Sequence, residues 1–153
     1  MKRNMLRTLV ASLVVEAVMV VILFVFKIPG PALTAWYRQL GPSAWAMDVL
    51  SVYVCVHAAN LLVSPRYIPL AAVGIQVAHD LAFGTLLASV PRGTMKVLDL
   101  FKDYARLAIV VYDTLIVLSV VATDRLLERV PTSLYEIVGG VAAYVSLLFV
   151  HSF

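Results

Sequence analysis

The sequence has little of what soluble proteins use for stability or for chemistry. It contains one cysteine, Cys55, so neither an intramolecular disulfide nor a thiolate metal cluster can form within the chain. Only 14% of its residues are charged, against about 25% in ordinary soluble domains. It has no spaced metal motif such as H-E-x-x-H, no phosphate-binding glycine loop and no nucleophile elbow. These features exclude a disulfide scaffold and give no sign of a familiar soluble enzyme.

Apolar residues dominate instead. They make up 62% of the 153 residues, and the mean hydropathy is +0.95. A soluble domain of this size leaves about 30% of its chain surface in water, and the polar residues here are too few to cover it. The sequence therefore predicts an integral membrane protein. Its net charge of +3 favours lipid headgroups over nucleic acid as the charged partner.

The apolar runs predict an all-α bundle of membrane-spanning helices that forms a single domain over residues 1–153. A helix needs about 20 residues to cross the hydrocarbon core, and proline- and glycine-rich breaks separate five runs near that length. The second run is weaker because Asp48 lies in its first turn, and the count falls to four if one weak run does not cross. The predicted spans are 8–26, 45–63, 68–90, 107–123 and 134–150.

The N-terminal run follows Lys2, Arg3 and Arg7 and so resembles a signal peptide. We expect an uncleaved span, because the run is long, contains Glu16 and is followed by no small-x-small cleavage site. The excess of Lys and Arg that marks the cytoplasmic side gives no orientation, since five spans would place six of the 12 basic residues on each side.

A short amphipathic helix is predicted at residues 94–106, between the third and fourth spans. Its apolar side chains fall on one helical face and its charged side chains on the other, at spacings of three and four. Such a helix lies in the headgroup plane, either as a plain connector or as a docking surface for a partner or anionic lipid. The residues predicted for that surface are Lys96, Asp99, Lys102 and Asp103.

Several polar residues fall at membrane depth, where each charged side chain facing lipid costs about 2.5–3.5 kcal/mol. Three mid-depth acids would together cost roughly 8–10 kcal/mol, which rivals the stability of a domain. They must therefore face the bundle interior, a wet cavity or another subunit. The residues assigned to this buried polar network are Glu16, His57, His79, Asp80, Asp113 and Glu136.

Several interpretations of this set remain open. The residues can form a structural hydrogen-bond network that fixes helix register, or a path for protons or cations. His57 and His79 could also ligate a b-type haem if their depths match. A metal-dependent lipid enzyme using His57, His79, Asp80 and Asp113 is a further alternative, although no spaced metal motif supports it. We predict neither a cofactor nor a metal.

Residues 79–113 resemble a small membrane protein of large DNA viruses of algae and protists. The matching pieces, about a quarter of the chain, are His79-Asp80-Leu81-x-Phe83, Pro91-Arg92-Gly93, Lys96-Val-Leu-Asp99-x-Phe101-Lys102-Asp103-Tyr104-Ala105 and Asp113. The resemblance implies a viral membrane protein in the virion or a host internal membrane. It supplies no catalytic residues, because the family has no established activity.

The function predicted first is non-enzymatic: a multi-pass protein that builds or organises a membrane through helix–helix contacts. A proton- or cation-coupled channel or carrier using the buried acids is the second prediction, and a lipid-modifying enzyme is the third. The expected partners are the lipid bilayer, further copies of this chain, and other membrane or capsid proteins.

Overall fold

The computed structural model describes residues 2–26, 31–96, 98–99, 102 and 106–152, and in these ranges the chain is helical with no strand. Two short 3-10 helices, Pro65–Tyr67 and Thr132–Leu134, precede the fourth and sixth α-helices. The α-helices are α1 (Lys2–Phe26), α2 (Pro31–Leu40), α3 (Pro42–Leu62), α4 (Ile68–Ser89), α5 (Arg106–Leu127) and α6 (Tyr135–His151).

Four helical segments are long and apolar enough to cross a membrane. They are Met5–Phe26, Pro42–Leu62, Pro65–Ser89 and Thr132–His151, and each agrees within three residues with a predicted span. Length and composition therefore confirm the prediction of a helical, multi-pass membrane protein. The predicted span 107–123 lies within α5, which is not one of these four.

Helix α2 was missed by sequence reasoning, because ten residues with Arg38 and Gln39 near their end do not form a 20-residue apolar run. Gly41 turns the chain from α2 into α3 with a φ of 56°, a conformation that suits glycine. The Gly41 N–H donates to the Tyr37 carbonyl at 2.7 Å, and Pro42 begins α3. This tight corner brings the end of α2 beside the first turns of α3.

Helix α1 lies at the centre of the fold, against α3, α5 and α6, while α4 packs against α3 and α5. Two apolar clusters fill the interior. One surrounds the first half of α1 and includes Val10, Val56, Val117 and Val120. The other joins the second half of α1 to α2 and the end of α6, and includes Val20, Leu23, Trp36, Tyr37 and Val150.

The predicted amphipathic helix falls partly outside the described residues, which exclude Val97, Leu100, Phe101 and residues 103–105. Of the four predicted surface residues, Asp103 is in this excluded part and Lys96 is exposed. Asp99 and Lys102 are half-buried and bond to the preceding turn, and their part in a docking surface stays a prediction. Asp99 accepts from the Gly93 N–H at 2.8 Å, and the Lys102 ammonium donates to the Val90 carbonyl.

The contact between α1 and α6 depends on Gly139. A Cβ added there would lie 3.2 Å from Val10 Cγ2 and 3.5 Å from Leu13 Cδ1. One added at Gly140 would meet nothing within 4 Å. We expect Gly139→Val to lower the free energy of unfolding by about 1–3 kcal/mol more than Gly140→Val, through overpacking. Thermal unfolding of both variants in detergent measures this, and equal losses would contradict the packing.

Candidate functional site

A partly open space of about 660 Å³ lies between α1, α2, α3, α4 and α5, and we call it the acidic cavity. It is at the end of the bundle where α1 and α4 end and α3 and α5 begin. Its size is within the range of small-molecule sites, and most of its wall is apolar. Its polar lining residues are Glu16, Tyr37, Asp48, Ser51, Gln76, His79, Asp80, Thr85, Lys102, Tyr112 and Asp113.

Glu16 is the most deeply placed acid of the cavity. It lies on α1, is only 2% exposed, and its Oε1 atom has no hydrogen-bond partner. Asp48, from the first part of α3, lies nearby, and Tyr37 of α2 is close enough to hydrogen-bond with either carboxyl group. Since a phenol has one proton to donate, Tyr37 serves only one of the two acids at a time.

The Tyr37 hydroxyl remains neutral at physiological pH. Burial, together with the nearby carboxyl groups of Glu16 and Asp48, raises its pKa well above the usual range of a phenol. Tyr37 therefore acts as a hydrogen-bond donor to the acids and does not add charge to the site.

Asp80 of α4 and Asp113 of α5 form a second pair of acids in the cavity. Gln76 Nε2 donates to Asp80 Oδ1 at 2.7 Å, and His79 Nδ1 lies 3.2 Å from the same oxygen. Asp80 Oδ2 has no donor, and Asp113 lines the same cavity close to Asp80. Two adjacent carboxyl groups repel each other when both are ionised, so a cation placed between them would stabilise the pair.

The cavity thus collects four carboxyl groups, from α1, α3, α4 and α5, with little positive charge to balance them. Lys102 is the one Lys or Arg side chain among its described lining residues. The Lys102 ammonium bonds to the Val90 carbonyl and lies 3.8 Å from Asp99 Oδ1. Because that ammonium is already engaged elsewhere, it does not neutralise the four acids.

The structure brings Glu16, His79, Asp80 and Asp113 of the predicted buried network to this cavity, but not the other two members. His57 is half-buried and stacks on Tyr53, with ring centroids 5.4 Å apart. Glu136 is exposed in the first turn of α6, where an acid is favourable beside the helix N-terminus. The His79 side chain is 48% exposed, so neither Glu136 nor His79 is fully covered, and their part in a polar network stays a prediction.

The described residues do not support the haem and metal alternatives by their placement. His57 does not line the cavity that His79 lines, so the two histidines do not face a shared space. Within the described ranges, no group of three or more His, Cys, Asp or Glu side chains is placed to hold one metal ion.

Sequence reasoning missed several residues of the site. Asp48 was noted only as a weakness of the second span, although it lines the cavity with Glu16. Tyr37 was missed because α2 was not predicted, and Tyr112 was not among the polar residues predicted at membrane depth. The proximity of Asp48 to the Gly41-Pro42 corner is a signal that could have identified it.

A second polar cluster lies at the opposite end of the bundle and was also missed. Arg7 of α1 donates to both carboxylate oxygens of Asp124 on α5, at 3.1 and 2.8 Å. Thr8 Oγ1 donates to Asp124 Oδ1 at 2.9 Å, and Arg7 Nη1 lies 3.0 Å from Glu128 Oε1. We call these four residues the Arg7–Asp124 cluster. Its buried carboxylate is fully paired, unlike the acids of the cavity.

Comparison of the chain with protein-family models, with curated proteins and with solved structures finds no significant match.

Proposed function

We propose that the protein is a carrier that binds a cation in the acidic cavity and exchanges it for protons. The observation that carries this proposal is the position of Glu16, a fully buried acid with an unpartnered oxygen, beside three further acids that line the same space. A carboxylate in such surroundings is stable only with a cation or hydrogen-bond donors beside it. Protons and a cationic ligand would then compete for the same oxygens.

The contrast with the Arg7–Asp124 cluster supports a binding role over a purely structural one. That cluster satisfies Asp124 with an arginine and a hydroxyl, as a network that fixes helix register should. In the cavity, Glu16 Oε1, Gln76 Oε1 and Asp80 Oδ2 have no hydrogen-bond partner. A structural network with this many unsatisfied acceptors would be destabilising, whereas a binding site keeps its acceptors for the ligand.

We further propose that α5 is the fifth membrane span. Its 22 residues extend about 33 Å at 1.5 Å per residue, enough to cross a hydrocarbon core of about 30 Å. It carries Asp113 in the cavity and Asp124 in the cluster at the opposite end of the bundle. Asp113 near mid-depth and Asp124 near the end of the helix make α5 less apolar, and both of these acids face inward.

Proteoliposomes containing a pH-sensitive dye test the carrier. Inward gradients of Na⁺, K⁺, Mg²⁺ and benzyltrimethylammonium are applied in turn, the last chosen because its permanent charge prevents it from crossing lipid as a neutral base. We expect at least one cation to raise the internal pH faster than in empty liposomes, as protons leave in exchange. If none of them moves protons although the protein is folded and inserted, the carrier is wrong.

The membrane-organising role, in a virion or a host membrane, remains a prediction. Such a role needs contacts that fix the register of the helices, and the Arg7–Asp124 cluster is one such contact.

The variant Asp80→Asn separates the carrier from the membrane-organising protein. For a carrier, we expect the variant to fold, because Gln76 still has an oxygen to bond to, and to lose exchange. For a structural protein, folded yield or assembly should fall instead. Size-exclusion chromatography alongside the flux assay measures both.

A further inference from the structure

We infer that the cation bound in the acidic cavity is an organic ammonium or amidinium ion with an aromatic or similarly apolar body. The inference rests on the proposed cation-binding function and specifies its substrate class. It depends on three features of the cavity: its size, its unpartnered acceptors and its aromatic wall.

The cavity is poorly suited to a bare metal ion. Its volume of about 660 Å³ is that of a site for a small organic molecule. Inorganic divalent cations need several oxygen ligands at 2.0–2.6 Å around one point, and the described acids are not grouped by threes. The four acids, Glu16, Asp48, Asp80 and Asp113, line one space, and within the described residues no three of them are placed to hold one metal ion.

The unpartnered polar atoms that line the cavity accept hydrogen bonds. Glu16 and Gln76 are each 2% exposed, and the Oε1 atom of each lacks a partner. Asp80 Oδ2 is also buried without a hydrogen-bond partner. A ligand that satisfies these atoms must supply N–H donors as well as positive charge, because charge-assisted hydrogen bonds to carboxylates are the strong ones. Protonated amines and amidines have both properties, whereas K⁺ and quaternary ammonium ions have only the charge.

Aromatic rings form the wall beside these acceptors. Trp36 and Tyr37 of α2, Phe83 of α4 and Tyr112 of α5 all line the cavity. Trp36 meets Phe83 edge to face with centroids 6.5 Å apart, and the His79 ring lies parallel to Phe83 with centroids 6.4 Å apart. Aromatic faces attract organic cations, and most strongly in desolvated sites. They also bury the apolar body that an inorganic ion lacks.

The rest of the lining is apolar and adaptable. It includes methionines from α1 and α3, namely Met19 and Met47, together with Leu23, Leu33, Leu87 and Ile116. Methionine side chains adjust to irregular ligands. The site therefore selects by charge and donor placement, and accepts variation in the body of the cation.

Isothermal titration of the full chain in lipid nanodiscs tests the inference with four probes of graded chemistry. Benzylammonium has a positive charge, N–H donors and an aromatic ring. Benzyltrimethylammonium lacks the N–H donors, and benzyl alcohol lacks the charge. K⁺ has the charge but no apolar body. We expect benzylammonium to bind most tightly, and benzyltrimethylammonium about tenfold more weakly for want of a charge-assisted hydrogen bond. Benzyl alcohol should show no binding above empty nanodiscs.

Matched variants locate the binding. Trp36→Leu should weaken benzylammonium binding about tenfold, while Trp45→Leu, a tryptophan that does not line the cavity, should leave it unchanged. Benzyl alcohol binding as tightly as benzylammonium, or equal losses for the two tryptophan variants, would overturn the inference. If benzylammonium fails to bind while an inorganic cation drives proton exchange, the substrate class is wrong and the carrier stands. If no cation binds or moves protons, both proposals fail.

Discussion

Replacing Glu16 with glutamine is expected to reduce cation-driven proton exchange at least about 30-fold, equivalent to about 2 kcal/mol for one buried charge partner. Glutamine keeps the size of the side chain and an oxygen that can accept a hydrogen bond from Tyr37, but it can neither bind nor release a proton. Glu16 is 2% exposed at the inner end of the cavity, so water cannot replace its charge. The measurement is the initial rate of internal pH change in proteoliposomes.

Glu136→Gln provides the matched control for this prediction. It removes the same charge from an exposed position outside the cavity and should leave exchange unchanged. Equal thermal stability of both variants in detergent shows that neither change acts through unfolding. A Glu16→Gln protein that exchanges cations and protons at the wild-type rate would contradict the assignment of Glu16 as a binding residue.

Breaking the Arg7–Asp124 pair is expected to lower the free energy of unfolding by about 3 kcal/mol. Arg7→Met keeps an apolar stem but leaves the Asp124 carboxylate buried with only the Thr8 hydroxyl as a partner. Asp124 is 4% exposed, so it is poorly placed to bond to water. Thermal or denaturant unfolding in detergent gives the size of the loss.

The double variant Arg7→Met with Asp124→Leu should recover much of that loss, because it removes both buried charges together. Arg129→Met is the control, since Arg129 is exposed and within the same end of the bundle. Additive losses in the double variant, or an equal loss for Arg129→Met, would show that the pair does not hold α1 to α5.

Much of the fold could be predicted from composition and run length. Apolar runs near 20 residues with proline and glycine between them placed the helical spans, because a bilayer sets the length of what crosses it. Helix α2 could not be predicted in that way, since a ten-residue helix leaves no such signature and depends on its contacts with Phe24 and α3. Phe24 and Tyr37, 6.1 Å apart edge to face, form one of these contacts.

The candidate site was predicted in part, for a physical reason. The cost of a charge at membrane depth identifies Glu16, Asp80 and Asp113 from their positions in the runs. The same cost does not apply to Glu136, because this residue lies in the first turn of α6, where it is exposed. The cost of a buried charge also does not predict which residues on different helices pair with each other. Arg7 and Asp124 are 117 residues apart in the chain, so their contact could not be predicted from the sequence.

Infrared difference spectroscopy of the protein in nanodiscs tests the central claim most directly. Four cations, K⁺, Mg²⁺, benzyltrimethylammonium and benzylammonium, are added in turn. If a cation displaces protons from the cavity, the carbonyl stretch of protonated carboxyl groups should lose intensity as the carboxylate bands gain it. This change should be lost in Glu16→Gln and kept in Glu136→Gln. A spectrum that no cation alters, or the same change in both variants, would contradict the exchange of protons for a cation at these acids.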